Sequence, residues 1–383
     1  MDLQDNLFMI PGPVKMHPRV LAAMSVPAMG HRTAPFRAVN KELRRLLQYV
    51  FQTRGEVALI SGSGTAGLDG VFSTMLRKDD RVVTLANGKF GERLQELAGH
   101  YCTLMPIRAP WGQQIPLDSV ATALEAGATA LAFVHNETSV GCTQDAEALA
   151  KLAHKHDALL VIDGITSVGG IDVPTDRWKA DAVVFGSQKC IGAPAGLAGV
   201  AVSERGYDRL DGSRSYYLDL RKHIDKMRQD DTPFTPAIPL HFAMLEALRL
   251  LEDETLPRRL ARTALMAQAS RAAAAALGVS LFPDERIASD TLTAVRYPPG
   301  IDDATFRAQL GEEAGVVIAG GQDSVKGVIF RIAHMGFTSL REVDATYGAV
   351  GALLQRHGIA GDVGAAAEAV APYYTKIAAL HKA

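Results

Sequence analysis

Cysteine is scarce in this sequence. Its 383 residues hold three, Cys102, Cys142 and Cys190, widely spaced and with no Cys-x-x-Cys pair. No disulfide framework can be drawn from them, which suits the reducing cytoplasm, the location expected here. Charge of one sign is not in excess either: 40 Lys and Arg face 42 Asp and Glu, a net charge of −2. Nothing therefore points to nucleic acid or to a membrane surface as a partner. No apolar run approaches the length of a membrane span. The start, Met1-Asp-Leu-Gln-Asp-Asn6, is acidic and polar and reads as neither a signal nor a transit peptide. No internal repeat is visible, and Ala-rich pieces at 271–277 and 364–369 read as helix formers.

What is present is ordinary in composition, with 48% hydrophobic and 21% charged residues. The length suits a large domain plus a smaller one. We expect an arm over 1–15, a large domain over 16–254 and a small α+β domain over 255–383. Apolar runs bounded by turn residues predict strands at 56–60, 81–86, 129–134, 158–163, 182–185 and 196–202. Helical periodicity falls between them, at 36–51 and after Thr65. This is the α/β pattern of a mostly parallel sheet. A long helix at about 240–251 leads to Glu252-Asp-Glu-Thr-Leu-Pro257, read as a charged hinge. Beyond it we expect a helix at 258–277, strands at 290–297 and 327–333, and helices at 303–314 and 339–357.

Two of these strands end in charge. Ala182–Phe185 is followed by the turn Gly186-Ser187-Gln188 and then Lys189. Burial penalises an ammonium and lowers its pKa. A lysine that can lose its proton can attack a carbonyl. Taken alone, Lys189 also fits a surface position. The run Ala158–Ile162 ends in Asp163. Parallel strands share one carboxyl edge, and ligands bind there, so Asp163 and Lys189 belong on one rim. Alone, Asp163-Gly164 is equally a turn or a helix cap. A carboxylate and an amine held apart across a flat ring suit pyridoxal phosphate (PLP). The amine holds its aldehyde, and the carboxylate keeps its ring nitrogen protonated.

The paired motifs Asp163-Gly-Ile-Thr-Ser-Val-Gly169 and Gly186-Ser-Gln-Lys189 resemble those of the class V aminotransferase family of fold-type-I PLP enzymes. The nearest group is the alanine–glyoxylate and serine–pyruvate aminotransferases, with archaeal broad-specificity aspartate aminotransferases. The resemblance runs from about Pro11 to Gly336. It implies an α/β fold whose large domain has a mostly parallel seven-stranded sheet, with a small C-terminal α+β domain.

The resemblance also implies roles. Lys189 would be catalytic and bind PLP, with Asp163 at the ring nitrogen and Gln188 beside it. Ser63, Gly64 and Thr65, in a Gly-rich strand-to-helix turn, would cradle the phosphate, as helix N-termini do for anions. Taken alone, that turn is also a plain strand–helix connection. We do not read it as a dinucleotide site, expecting neither a Gly-x-Gly-x-x-Gly fingerprint nor an acidic residue at the end of a second strand. Phe90 would stack on the ring, where relatives often carry Trp, although a core position is a serious rival. In His135-Asn-Glu-Thr-Ser-Val-Gly141, Thr138 or Ser139 would meet the phenolic oxygen, while His135 and Glu137 brace the loop. No third ligand at usable spacing turns that pair into a metal site. Thr235 would reach the partner subunit's phosphate, in a loop where Thr232 replaces a common aromatic. Gly12 would line the substrate pocket. His31 and Arg32 are candidates for substrate contact, and equally for interface or solvent positions. Arg331 sits in an apolar strand and suits a carboxylate; a structural ion pair is the even alternative. The family pattern assigns it the substrate α-carboxylate.

The activity implied is a ping-pong aminotransferase acting as a homodimer with shared sites. Small-molecule amino acids (alanine, serine or aspartate) would donate to glyoxylate, pyruvate or 2-oxoglutarate. One alternative is a PLP-dependent lyase or desulfurase-like enzyme of the same fold. No cysteine follows Cys190 to serve a desulfurase. The other is a non-catalytic PLP-fold binding subunit.

Overall fold

Why these runs become strands is plain once the sheet is assembled. A computed structural model describes residues 6–359 and 361–380, so most of the polar start lies outside the described residues. Seven strands form one sheet in the order Glu56–Ser61, Leu197–Val202, Ala182–Gly186, Leu159–Asp163, Ala130–Val134, Arg81–Ala86 and Thr103–Arg108. Only Leu197–Val202 runs antiparallel to its neighbours. The others run parallel, as expected. The three middle strands are buried along their whole length, as strands covered on both faces must be.

Side-chain alternation splits the core into two layers. Leu131 and Phe133 face one layer, against Leu43, Leu47 and Phe51 of the helix Ala34–Phe51 and Leu248 of the helix Ile238–Glu254. Ala130, Ala132 and Val134 face the other, against Leu68 and Phe72 of the helix Gly64–Met75 and Leu94 of the helix Lys89–Tyr101. Doubly covered strands leave only their ends open to ligands. The parallel strands end together near Ser61, Ala86, Val134, Asp163 and Gly186.

The C-terminal part has its own core. A three-stranded antiparallel sheet, ordered Leu292–Arg296, Ile329–Ala333 and Ala319–Gly320, packs with the helices Leu256–Ala276, Asp303–Ala314 and Leu340–Arg356. The last of these carries the capping box Ser339–Glu342. A final helix, Val363–Leu380, joins them. Among the described residues no helix is long and apolar enough to cross a membrane.

One expectation needs correction. The charged hinge is not a loop: the two long helices are separated by Thr255 alone, at φ +67°. Pro257 falls in the first turn of the second helix, where its missing N–H is no loss. Glu254 stays in the first helix and pairs with Arg259 (2.5 Å) and Arg262 (2.6 Å). Arg259 is fully buried, and its Nη1 also donates to the carbonyls of Cys190 and Gly336. The arm, over its described residues, touches both cores. Leu7–Phe8 pairs in parallel with Val316–Val317, and the Met9 carbonyl accepts from the Ala333 amide at 2.7 Å. It then crosses, and the Val14 amide donates to the Gln188 carbonyl at 3.0 Å.

Glu254→Ala would leave Arg259 buried without its counter-charge, which costs about 3–5 kcal/mol. The expected outcome is a fall of several degrees in Tm by calorimetry. An unchanged Tm would show that the carbonyls alone satisfy Arg259.

Candidate active site

The carboxyl edge of the sheet carries a cavity of about 250 Å³. Its floor is the turn between Glu56–Ser61 and Gly64–Met75. Ser63 is the helix N-cap, yet its side chain makes no capping hydrogen bond. First-turn amides have no partner within a helix, so this end presents donors to the cavity that Ser63, Gly64 and Thr65 line. A Cβ on Gly64 would lie 2.6 Å from the Ile165 side chain, so the turn approaches its neighbour only as glycine. The expectation that the turn lacks a Gly-x-Gly-x-x-Gly run is corrected: Gly62-Ser-Gly-Thr-Ala-Gly67 has that glycine spacing. The ribose-binding acid is what it lacks: Asn87, at the end of the next strand, donates to the Gln113 carbonyl.

Asp163 closes its strand at 3% exposure. Its Oδ1 accepts from the Ile165 amide at 3.0 Å, and Arg93 Nη2 lies 4.0 Å from its Oδ2. Burial pushes the carboxyl up; Arg93, the Ile165 amide and Lys189 oppose that rise. Lys189 follows the neighbouring strand Ala182–Gly186 and lines the same cavity, with Nζ donating to the Pro11 carbonyl at 2.5 Å. Burial brings its ammonium down to about 8, and the guanidinium groups of Arg331 and Arg93 act in the same direction. An amine near this value is still mostly protonated at neutrality, but its neutral fraction is far larger than an ordinary lysine's, as a nucleophile or base requires. Phe90 forms a flat wall, with the Arg93 guanidinium 4.7 Å from its ring centroid. Thr138 and Gln188 also line it, and Gln188 Oε1 is buried without a hydrogen-bond partner among the described residues.

So Ser63, Gly64, Thr65, Phe90, Thr138, Asp163, Gln188 and Lys189 meet in one place. Gly12, at φ +104°, lies against the Lys189 side chain, where any Cβ would collide with it. Arg331 is buried beyond Thr138: Nη1 donates to the Thr138 carbonyl at 2.9 Å, Nε and Nη2 to the Gly320 carbonyl. Among the described residues it has no carboxylate partner within 4.0 Å. Ser139 does not line the cavity. Its hydroxyl is held by Glu137 Oε1 at 2.6 Å and by the Lys89 amide at 2.9 Å. Of the pair Thr138 and Ser139, only Thr138 faces the cavity. His31 and Thr235 lie outside it, on loops joined by Arg32, which binds Asp231 Oδ1 at 2.7 Å and the Thr232 carbonyl at 2.6 Å. Thr235 is exposed. Cys190 packs with Val14 and with Leu292 and Ala333 of the three-stranded sheet, and its Sγ donates to the Thr166 carbonyl.

Sequence reasoning missed Arg93, Asn136 and Thr166, which also line the cavity. For Arg93 a signal existed: it lies three residues after Phe90 on one helix, hence on the same face. Asn136 had none, because its partners Thr166 and Thr291 are remote in sequence.

The profile of the family described as Aminotransferase class-V matches residues 19–342. An uncharacterized aminotransferase of Methanocaldococcus jannaschii is 37% identical over 366 residues, 93% of this chain and 94% of its own length. A protein named soluble hydrogenase, small subunit, from a Synechococcus strain is 35% identical over 365 residues, 93% of this chain and 95% of its own. The crystal structure of the ureidoglycine–glyoxylate aminotransferase of Bacillus subtilis superposes with a TM-score of 0.93 at 30% identity, covering 98% of this chain and 99% of that one.

Depression of the Lys189 ammonium has a direct consequence. Below about 8 the group is protonated and unreactive; above it the neutral amine is exposed to an amine-directed reagent. Labelling at a series of pH values, read by peptide mass spectrometry, is expected to show Lys189 half-reactive near pH 8. A midpoint at the ordinary lysine value of about 10.4 would contradict the burial argument.

Proposed function

This chain belongs to the class V aminotransferases and is a transaminase, and from that premise we propose which residues do the work and on what. The reading is a ping-pong exchange of an amino group between a small amino acid and a 2-oxo acid, with PLP as cofactor. Alanine, serine or aspartate is the donor class, and glyoxylate, pyruvate or 2-oxoglutarate the acceptor class. Glyoxylate has the added support of the Bacillus subtilis structure's name. The hydrogenase name stays with the Synechococcus protein.

The observation that carries the reading is Lys189 and Asp163 buried in one cavity whose floor is an uncapped helix N-terminus. The residues present fit PLP. The amides at Gly64 and Thr65, with Ser63, suit a phosphate. Asp163 suits a protonated ring nitrogen. Phe90 suits a ring face, with an offset-stacking contribution of about 1 kcal/mol. Thr138 and the unpartnered Gln188 Oε1 suit polar groups at the ring edge. When bound, PLP supplies an aldehyde that accepts an amino group and a pyridinium that withdraws electrons from the donor's α-carbon.

The chain's own residues then divide the labour. Lys189 Nζ takes the α-proton of the amino donor and delivers a proton to the α-carbon of the 2-oxo acid. The Pro11 carbonyl orients that nitrogen. Asp163 is placed to keep the ring nitrogen protonated; burial pushes its carboxyl up, and Arg93, the Ile165 amide and Lys189 oppose that rise in favour of the carboxylate. Arg331 takes the substrate α-carboxylate, with Thr138 and Gly320 fixing its plane. Gly12 leaves the room that an entering amino group needs beside Lys189.

The same reading includes a homodimer. His31 and the exposed Thr235 serve the partner's site, and Tyr217 stacks on Phe234 at 5.1 Å beside Thr235, with Tyr216 78% exposed. It also includes a large unit ending at 254 and a small unit starting at 255, supported by two separate cores, although Leu256 packs in the large one and Met9 in the small one. A cytoplasmic location is supported by the three unpaired cysteines.

Lys189→Ala is expected to lower kcat by at least about 10²–10⁴-fold while PLP still binds without a reducible covalent link. A variant keeping that link and normal turnover would remove Lys189 from the mechanism. Arg331→Ala is expected to raise KM for both amino and 2-oxo acids by about 10- to 100-fold, the loss of a charge-assisted contact. Unchanged KM for both would return Arg331 to a structural role.

A further inference from the structure

Glu137 and Ser139 are buried beside the cavity and do not line it. Glu137, 1% exposed, accepts from the Gly91 amide at 2.8 Å, the Ser139 amide at 3.1 Å and the Ser139 hydroxyl at 2.6 Å. Ser139 Oγ accepts from the Lys89 amide at 2.9 Å. Lys89 and Gly91 flank Phe90 in the first turn of the helix Lys89–Tyr101. That helix has Gly88 as its N-cap and so no capping side chain of its own. The cap comes instead from another loop, with a carboxylate at the end where the helix dipole favours negative charge.

The fit is close from both sides. A Cβ on Gly88 would stand 2.5 Å from Glu137 Cδ and 2.7 Å from Ser139 Oγ, so only glycine admits this approach. Between the two capping residues sits Thr138. Its side chain lines the cavity, and its carbonyl accepts from Arg331 Nη1. One three-residue segment thus touches the helix that carries Phe90, the cavity, and Arg331.

We propose that Glu137 and Ser139 form a clamp that aims the Phe90 ring at the cofactor plane and keeps it in register with Arg331. Both are positioning residues: they act through Phe90 and the Thr138 carbonyl and touch no reacting atom. The proposal rests on the PLP reading above.

The test is a double-mutant cycle on the full chain. Glu137→Gln, Ser139→Ala, Phe90→Ala and the two double variants with Phe90→Ala are compared by Tm without cofactor, PLP affinity, and visible circular dichroism of bound PLP. In the Phe90 background, Glu137→Gln and Ser139→Ala are expected to weaken PLP on the order of tenfold and to reduce the dichroism per bound PLP. In the Phe90→Ala background the same changes are expected to shift affinity by less than about twofold. Full, additive effects in both backgrounds would overturn the clamp. A lower Tm with unchanged affinity and dichroism would overturn it too, leaving only a structural anchor. Ser139→Ala removes a single hydroxyl and carries the test should Glu137→Gln not fold. If the unaltered chain itself fails to bind PLP, the parent reading falls first, which is a distinct result.

Discussion

An ammonium group taken out of water loses hydration that no single neighbour restores, and Lys189 is in that position. The rest of the site is arranged around this constraint. The lysine sits at the carboxyl edge of a sheet whose strands are covered on both faces, so the loops at that edge enclose it. Asp163 lies in the same cavity without a direct contact, which leaves the amine free to change its protonation. Arg93, Arg331 and a helix N-terminus add positive potential. Positive potential of this kind suits anionic groups, which is why the proposed reading puts a phosphate at the helix end and a carboxylate at Arg331.

The second organising feature is how the two cores are tied together beside the lysine. The arm begins in the small core, at Met9, and ends against the turn that carries Lys189. Arg259 holds the Cys190 carbonyl from the other side. Asn136 bonds Thr166 in the large part and Thr291 in the small one. Each contact places a small-core residue within a few bonds of Lys189 or Asp163. A displacement of the small core would therefore be felt at the lysine, where the chemistry is most sensitive to position.

Much of this was legible in the sequence, for physical reasons. The middle strands are short apolar runs because both of their faces are buried, and Lys189 and Asp163 stand out as charges ending such runs. The edge strand Thr103–Arg108 was not read, since it is half exposed and has Pro106 in its middle, which only an edge tolerates. The hinge was misread because Asp253 and Glu254 look solvated, whereas Glu254 is held by two arginines from the next helix. Ser139 and Thr138 are adjacent and chemically alike, so only the direction of each side chain separates a clamp from a cavity wall. Arg331 was visible as a charge in an apolar strand; its backbone partners at Thr138 and Gly320 lie on remote segments that no local pattern reveals.

The central claim is that this cavity passes an amino group to and from bound PLP. Its most direct test is the visible absorbance of the PLP-loaded protein after one amino acid is added with no 2-oxo acid present. The account expects alanine, serine or aspartate to bleach the cofactor band, and glyoxylate or pyruvate added afterwards to restore it. A band that no amino acid changes would contradict transamination in this site, however well the cofactor binds.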